Sequence, residues 1–419
     1  MNIHSHQVVV SPAMIQQMQD QSSSVEGICV NRKAHVRTLP GSHVNIQQDH
    51  LGRVELFRLE LEQGRFHGTR DFFAHLRFDN EIRSVCMDRL ARGYRKGAAN
   101  AANDSVTLKT LQAWTLAEPD NKDAHLLYGL LLITSAWGAL RQSTQGTEEE
   151  RFAQFDKLAN KAENALDKAI EIDPTDPLPY ANKITASREL QMIKTTFQQF
   201  QQNCRDKHNQ MVHEAMLYRL TPHWGGSNQE MLKFARNATI KAQSPPPAGH
   251  PLWSLLAKAH MLAWQEHKTA TMADDSSRSS NAATSYWKDR TVGKEIVKAY
   301  RKFRAKTLRN APAMMDDTAC SNLFAFCLYK CKAYKDALPE FQKIGPMATV
   351  EEPWRKESHS HWKKVYERAR GKVMARAVKD GRIKAEAAGV PVEANNMNPS
   401  SELFLYDLSS SSHHQQHHC

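Results

Sequence analysis

Three groups of side chains in this sequence are of types that ligate metals or attack carbonyl groups. Each fails on spacing. His213-Glu214 begins like a zinc-peptidase helix, but Leu217 stands where the second His would be needed four positions on. Cys320, Cys327 and Cys331 recur at i, i+7 and i+11, which puts them on one face of a helix. A structural zinc site needs closely spaced cysteines and a second ligand pair. None is nearby, so these three read as small apolar core residues. His223, His250 and His260 lie among apolar and aromatic residues and read as satisfied core or rim histidines. The terminal His413, His414, His417 and His418 follow a Ser run, a low-complexity tail whose only chemistry is weak chelation of a transition metal. There is no Gly-rich phosphate loop, nucleophile elbow or carboxylate pair. Catalytic, cofactor and metal residues are therefore all assigned as none, and the expectation is a protein that is not an enzyme.

A different chemistry is written in the charge. The 419 residues hold 56 Lys and Arg against 45 Asp and Glu, a net +11. Two windows, 288–309 and 355–384, carry +7 and +8 by themselves, so the rest of the chain is slightly acidic. Such concentration marks either a solvated helix face or a surface for an acidic partner. Lys298, Arg301, Lys302, Lys364, Arg368 and Arg376 are the candidate basic surface. Trp287, Tyr300, Phe303, Trp362 and Tyr366 are interleaved with these cations. Stacking aromatics plus phosphate contacts would be a nucleic-acid-binding mechanism.

Composition bounds the class. Apolar residues make up 41% and charged residues 24%, an ordinary globular balance. The longest near-apolar stretch, 126–139, is too short and too polar to span a bilayer, so no membrane association is expected. Seven scattered cysteines, an odd count, and no apolar block of signal-peptide length predict free thiols in a reducing cytoplasm.

The elements that must position these residues read as helices throughout. Residues 1–50 are polar, without a period, and are expected to form a poorly ordered arm. Helical patterns start near Val54 and continue to Pro346, broken by Pro, Gly and Asx residues. The segment from Ala165 through Asp173-Pro174 to Tyr180 looks like the close of a tetratricopeptide repeat. Ala162, Ala165 and Ala169 let two helices approach, and Pro174 ends one before the next begins. Pro312 and Pro346 are 34 residues apart, one such repeat. Inside it, Asn322, Ala325 and Tyr329 mark a first helix, and Lys332 to Phe341 a second. Longer intervals imply loop insertions near 142–150 and 268–284, and longer helices across 184–202. The expectation is an all-α, TPR-like helical-repeat solenoid over 51–346. A basic capping helix follows within 347–390, its basic side facing solvent, and then a disordered Ser/His-rich tail, 391–419.

Pro222-His-Trp224-Gly225-Gly226-Ser227, followed by Glu230-Met231 and Phe234-Ala235-Arg236, resembles the hallmark of an uncharacterised bacterial family, domain of unknown function 4034. His223 replaces that family's usual Arg. The resemblance covers residues 53–270. It implies a TPR-like fold and a bacterial origin, and it carries no activity. Physically, Ser227 with Glu230 forms a capping box opening a helix with Met231, Phe234 and Ala238 inward. Gly225 and Gly226 provide positive φ or a close backbone approach. Trp224 is expected to pack beneath that turn, so that Trp224→Ala would cost about 3–5 kcal/mol.

Together these features predict a non-catalytic protein that binds another protein or peptide along a groove, as an adaptor or toxin-immunity protein. Nucleic-acid binding through 288–309 and 355–384 is the alternative. A hydrolase with an unrecognised site is the second alternative.

Overall fold

Helix ends fall where Asp, Pro and Gly interrupt the apolar periodicity. The computed structural model describes residues 54–384, except 55–56, 77–79, 97–100, 142–146, 188, 273–284, 306–316, 347–351 and 359. The 1–50 arm, the 391–419 tail and Pro312 lie outside the described residues, as do 142–146 and 273–284 within the two expected insertions. A helical stretch over 57–62 leads into α1 (His67–His75), α2 (Asn80–Lys96), α3 (Ala101–Ala117), α4 (Lys122–Arg141) and α5 (Glu148–Ile172). Next come α6 (Pro177–Ala186), α7 (Leu190–Asn203), α8 (Gln210–Arg219) and a 3-10 turn, Pro222–Trp224. They are followed by α9 (Asn228–Ala238), a second 3-10 turn (Pro251–Trp253), α10 (Ser254–Met272) and α11 (Arg290–Arg304). The last elements are α12 (Asp317–Lys330), α13 (Tyr334–Ile344), a third 3-10 turn (Trp354–Lys356) and α14 (Trp362–Lys379). Among the described residues the protein is all-helical, with no strand.

Packing follows chain order. α4 lies along α5, α5 on α6, α6 on α8, α8 on α9 and α10, α10 on α11 and α12, α12 on α13 and α13 on α14. One core collects apolar side chains between Val54 and Ala186; a larger one collects those between Tyr180 and Ala377, with Met211 packed against both. The close approach expected at α5 is real: Ala162, Ala165 and Ala169 are buried. Opposite them, a Cβ at Gly129 of α4 would meet Leu166 Cγ at 2.9 Å.

The expected repeat closure at 173–177 is built from caps. Asp176 accepts from the Leu178 amide at 3.1 Å, and Pro177 opens α6, where a missing N–H costs nothing. Lys122 donates to Asp173 at 2.5 Å. Beneath it, the Arg83 guanidinium of α2, 1% exposed, bonds Asp123 of α4 through Nε at 2.8 Å and lies 2.6 Å from Asp176. This buried triad ties three helices together.

The helical hairpin expected within 312–346 is present as α12 and α13. Several expectations need correction. The interval 184–202 holds two helices, not longer ones, because the chain leaves helical geometry at Ser187 before α7 starts. The insertion near 142–150 ends sooner: Thr147 and Glu150 form a capping box that opens α5 at Glu148. The insertion near 268–284 starts later, since α10 runs on to Met272. The C-terminal helix stops at Lys379, where Gly381, at φ 66°, closes a Schellman turn through the Arg382 amide to the Ala377 carbonyl. It docks on α13 and α12. Among the described residues no helix is long and apolar enough to cross a membrane.

Candidate functional site

Among the described residues, His213, His260 and the cysteines of α12 are buried and packed against neighbouring side chains. His213 is buried; its Nδ1 lies 2.8 Å from the Asn209 carbonyl, and its ring meets Phe197 edge-on and stacks on Phe234. Burial pushes its pKa down to about 4. Unfolded, His213 takes a proton near 6.5; folded, it resists to about 4, so acid favours the unfolded chain. We expect stability to fall by up to about 3 kcal/mol as pH drops from 6.5 to 4. Urea melts across that range should show His213→Gln losing most of this share of the slope. His260 sits between Tyr286 Oη at 2.8 Å and Glu295 at 3.1 Å, and Arg236 pairs with the same Glu295 at 2.9 Å. Burial works against the Glu295 carboxylate, but bonds from His260 and Arg236 hold its pKa down at about 2. Tyr286, His260 and Glu295 are connected in series, and with Arg236 they link α9, α10 and α11. No group of three potential metal ligands occurs among the described residues. Cys320 and Cys327 are buried on α12; Cys331 falls just past its end, and burial raises its thiol to about 12.

The Trp224-Gly225-Gly226-Ser227 turn is explained by its backbone geometry. Gly225 has φ +82°, and a Cβ on Gly226 would come within 2.3 Å of the Leu220 carbonyl oxygen, so both glycine roles are realised, one at each position. Ser227 caps α9 by accepting from the Glu230 amide at 3.1 Å, but Glu230 returns to the Ser227 hydroxyl at 3.1 Å, not to its backbone. Met231 and Ala235 are the buried positions of α9; Phe234 and Ala238 are only partly covered. Trp224 is not a fully buried core residue. It is half-buried, edge-on to Trp137 at 5.4 Å, with the Arg219 guanidinium 4.1 Å over its ring. Trp224→Ala should therefore cost about 1–2 kcal/mol in a urea melt, the scale of one aromatic pair and one cation–π contact.

The basic windows tell a different story. Asp289 caps α11, accepting from the Thr291 amide at 2.7 Å. The apolar period then buries Val292, Ile296, Ala299, Tyr300 and Phe303. Arg290, Lys294, Lys298, Arg301 and Lys302 are left on the other face, one helical turn apart, and all are exposed. That face does not look onto open solvent alone. It forms one wall of a groove of about 1760 Å³, completed by α10 (Trp264, Lys268), the turn joining α12 to α13 (Tyr329 to Tyr334), Glu357 and Lys372 of α14. The groove's acids are engaged: Asp336 pairs with Arg301 at 3.2 Å, and Glu357 with Lys330 at 2.8 Å, while Asp289 caps its helix. Lys268 donates to the Lys356 and Glu357 carbonyls, both at 3.1 Å. Lys288, Lys294, Lys298, Lys302, Lys332 and Lys372 form no ion pair among the described residues.

Lys332 holds a position that suits glycine. Its φ is +59°, at the αL residue of a Schellman turn in which its amide bonds Tyr329 O at 2.9 Å and that of Ala333 bonds Leu328 O at 2.8 Å. A side chain there costs on the order of 1 kcal/mol, and here it brings a cation to the groove.

A smaller cleft of about 580 Å³, holding Lys364 and Arg368, shares Tyr329, Glu357 and Lys372 with the groove. The two basic windows, far apart in sequence, thus adjoin. Arg376 does not join them; it pairs with Asp380, the C-cap of its own helix, at 3.0 Å. Lys268, Lys330, Lys332, Lys372 and Trp264 line the groove without having been singled out from sequence, because no local pattern links α10, the α12–α13 turn and α14. Of the interleaved aromatics, Trp287, Tyr300, Phe303 and Tyr366 are at most 7% exposed and belong to the core, so they offer no free face for a base. No family model matches the chain, and no curated protein matches it.

Proposed function

We propose that this is a non-catalytic, TPR-like helical-repeat protein of bacterial type that holds a protein or peptide along its basic groove. The observation that carries this is the groove itself: among the described residues, six of its lysines (Lys288, Lys294, Lys298, Lys302, Lys332 and Lys372) form no ion pair, while its acidic residues are engaged internally. The chain-order packing of helices, the α12–α13 hairpin and the hallmark around Trp224-Gly225-Gly226-Ser227 support a repeat array, and stacked helix pairs present extended binding surfaces. The reading suits an adaptor or immunity protein in a reducing cytoplasm. The thiol lining the groove, Cys331, is held protonated by burial, which speaks against a cysteine nucleophile there.

The test is affinity enrichment from host extract with and without nuclease treatment, comparing wild type with the triple variant K294E/K298E/K302E. The expected result is a defined protein enriched by the wild type and lost with the variant. Equal enrichment by both, or a signal abolished by nuclease, would overturn the reading.

A further inference from the structure

We propose that the occupant of the groove is an acidic amphipathic helix whose carboxylates recur once per turn. This rests on the protein-binding reading above and narrows it to one partner chemistry.

Register is the first argument. Lys294, Lys298 and Lys302 stand four residues apart on the exposed face of a single helix. At 1.5 Å per residue their rungs repeat at about 6 Å, the repeat of Glu or Asp at i and i+4 on another helix. Arg290 extends the ladder by one more rung.

Size is the second. A three-turn helix is about 16 Å long and 10–12 Å across, a cylinder of roughly 1,300–1,800 Å³. The groove offers about 1760 Å³. An extended segment of equal length would hold about five residues, against about eleven in the helix, so a helix brings about twice as many side chains to the same stretch of lysines.

Electrostatics is the third. Lys332 and Lys372 reach the groove from elements other than α11, so cations meet the occupant from more than one element. The backbone of Lys332 is held where Gly would be easier, and its ammonium is unpaired among the described residues. The groove's tryptophans offer no free face: Trp264 and Trp287 are 4% and 5% exposed, and the Lys330 and Lys268 ammoniums lie 5.0 and 5.6 Å from the Trp264 ring centre, while the partly exposed Tyr329 and Tyr334 stack on each other at 6.2 Å.

The experiment uses the full chain and three fluorescein-labelled probes, read by anisotropy at about 0.15 M salt. The first is an Ala-rich peptide of about 18 residues, long enough to be helical, with Glu at i, i+4, i+8 and i+11 on one face. The second has the same composition with Glu spread round the helix, matched in helicity by circular dichroism. The third is an oligothymidylate. The expected result is that the one-faced peptide binds at least about tenfold more tightly than the other two. K294E/K298E/K302E should weaken it at least about thirtyfold. K332G should weaken it several-fold while melting no lower than the wild type, which separates lost binding from lost folding. Equal affinity for the two peptides would overturn the helical register. Tighter binding of the oligothymidylate would assign the groove to nucleic acid. No binding of either peptide would overturn the acidic-helix proposal, while a groove-dependent partner in the extract experiment would leave the protein-binding reading standing.

Discussion

Arg83→Ala is expected to destabilise the protein by about 3–5 kcal/mol, the cost of removing one partner from a fully desolvated ion network. Arg83 is fully buried between Asp123 and Asp176, and these three residues come from α2, α4 and the N-cap of α6. Without the guanidinium, Asp123 keeps no cation at hydrogen-bond distance. Asp176 keeps Lys122 at 3.2 Å and its cap on α6. The damage therefore falls mainly on Asp123, and Arg83→Met with Asp123→Leu should be less destabilised than Arg83→Ala alone, since an apolar replacement removes the stranded charge. Urea unfolding of the two variants decides the matter. A single variant within 1 kcal/mol of wild type would mean that water reaches the site and solvates the carboxylates.

Trp354→Ala is expected to cost a similar amount, about 3–5 kcal/mol, with a more local consequence. The Trp354 side chain is fully buried, its ring 5.4 Å from Phe326, 5.8 Å from Phe341 and 5.1 Å from Tyr366; these belong to α12, α13 and α14. Its indole N–H donates to Asn322 Oδ1 at 2.9 Å, so truncation leaves both a cavity and an orphaned buried acceptor. Hydrogen exchange should show α14 losing protection before α4 and α5, which belong to the other core. Because α14 brings Lys372 to the groove, the same variant should bind an acidic partner more weakly. Uniform loss of protection along the chain would mean that the two cores unfold as one unit.

How much of this was legible in the sequence differs between local and distant features. The helical class, the α12–α13 hairpin, the Asp-Pro closure before α6, the Ser227 cap and the two glycine roles depend on residues within a few positions of one another. Propensity, capping and steric rules act at that range, so those features could be read directly. The misreadings have the same origin. A helix break at Ser187 leaves no Pro or Gly to announce it. A large aromatic ring next to two glycines reads as one that packs beneath its own turn, yet what contacts it is Arg219 and, from α4, Trp137.

The sequence by itself determined that cations would gather on α11 and α14, since helical periodicity leaves those positions outside once Val292, Ile296, Tyr366 and Val373 are inside. Only the tertiary structure decided that the α11 cations would face a shared trough, along with Lys268, Lys330, Lys332 and Lys372. The helices that converge there are separated by up to a hundred residues, and the packing of α10 against both α11 and α12 sets their spacing. The same holds for Arg83, a surface residue by type, which is buried because two carboxylates from other helices arrive beside it. A charge belongs to its residue, whereas its partners and its exposure are set by which helices pack around it.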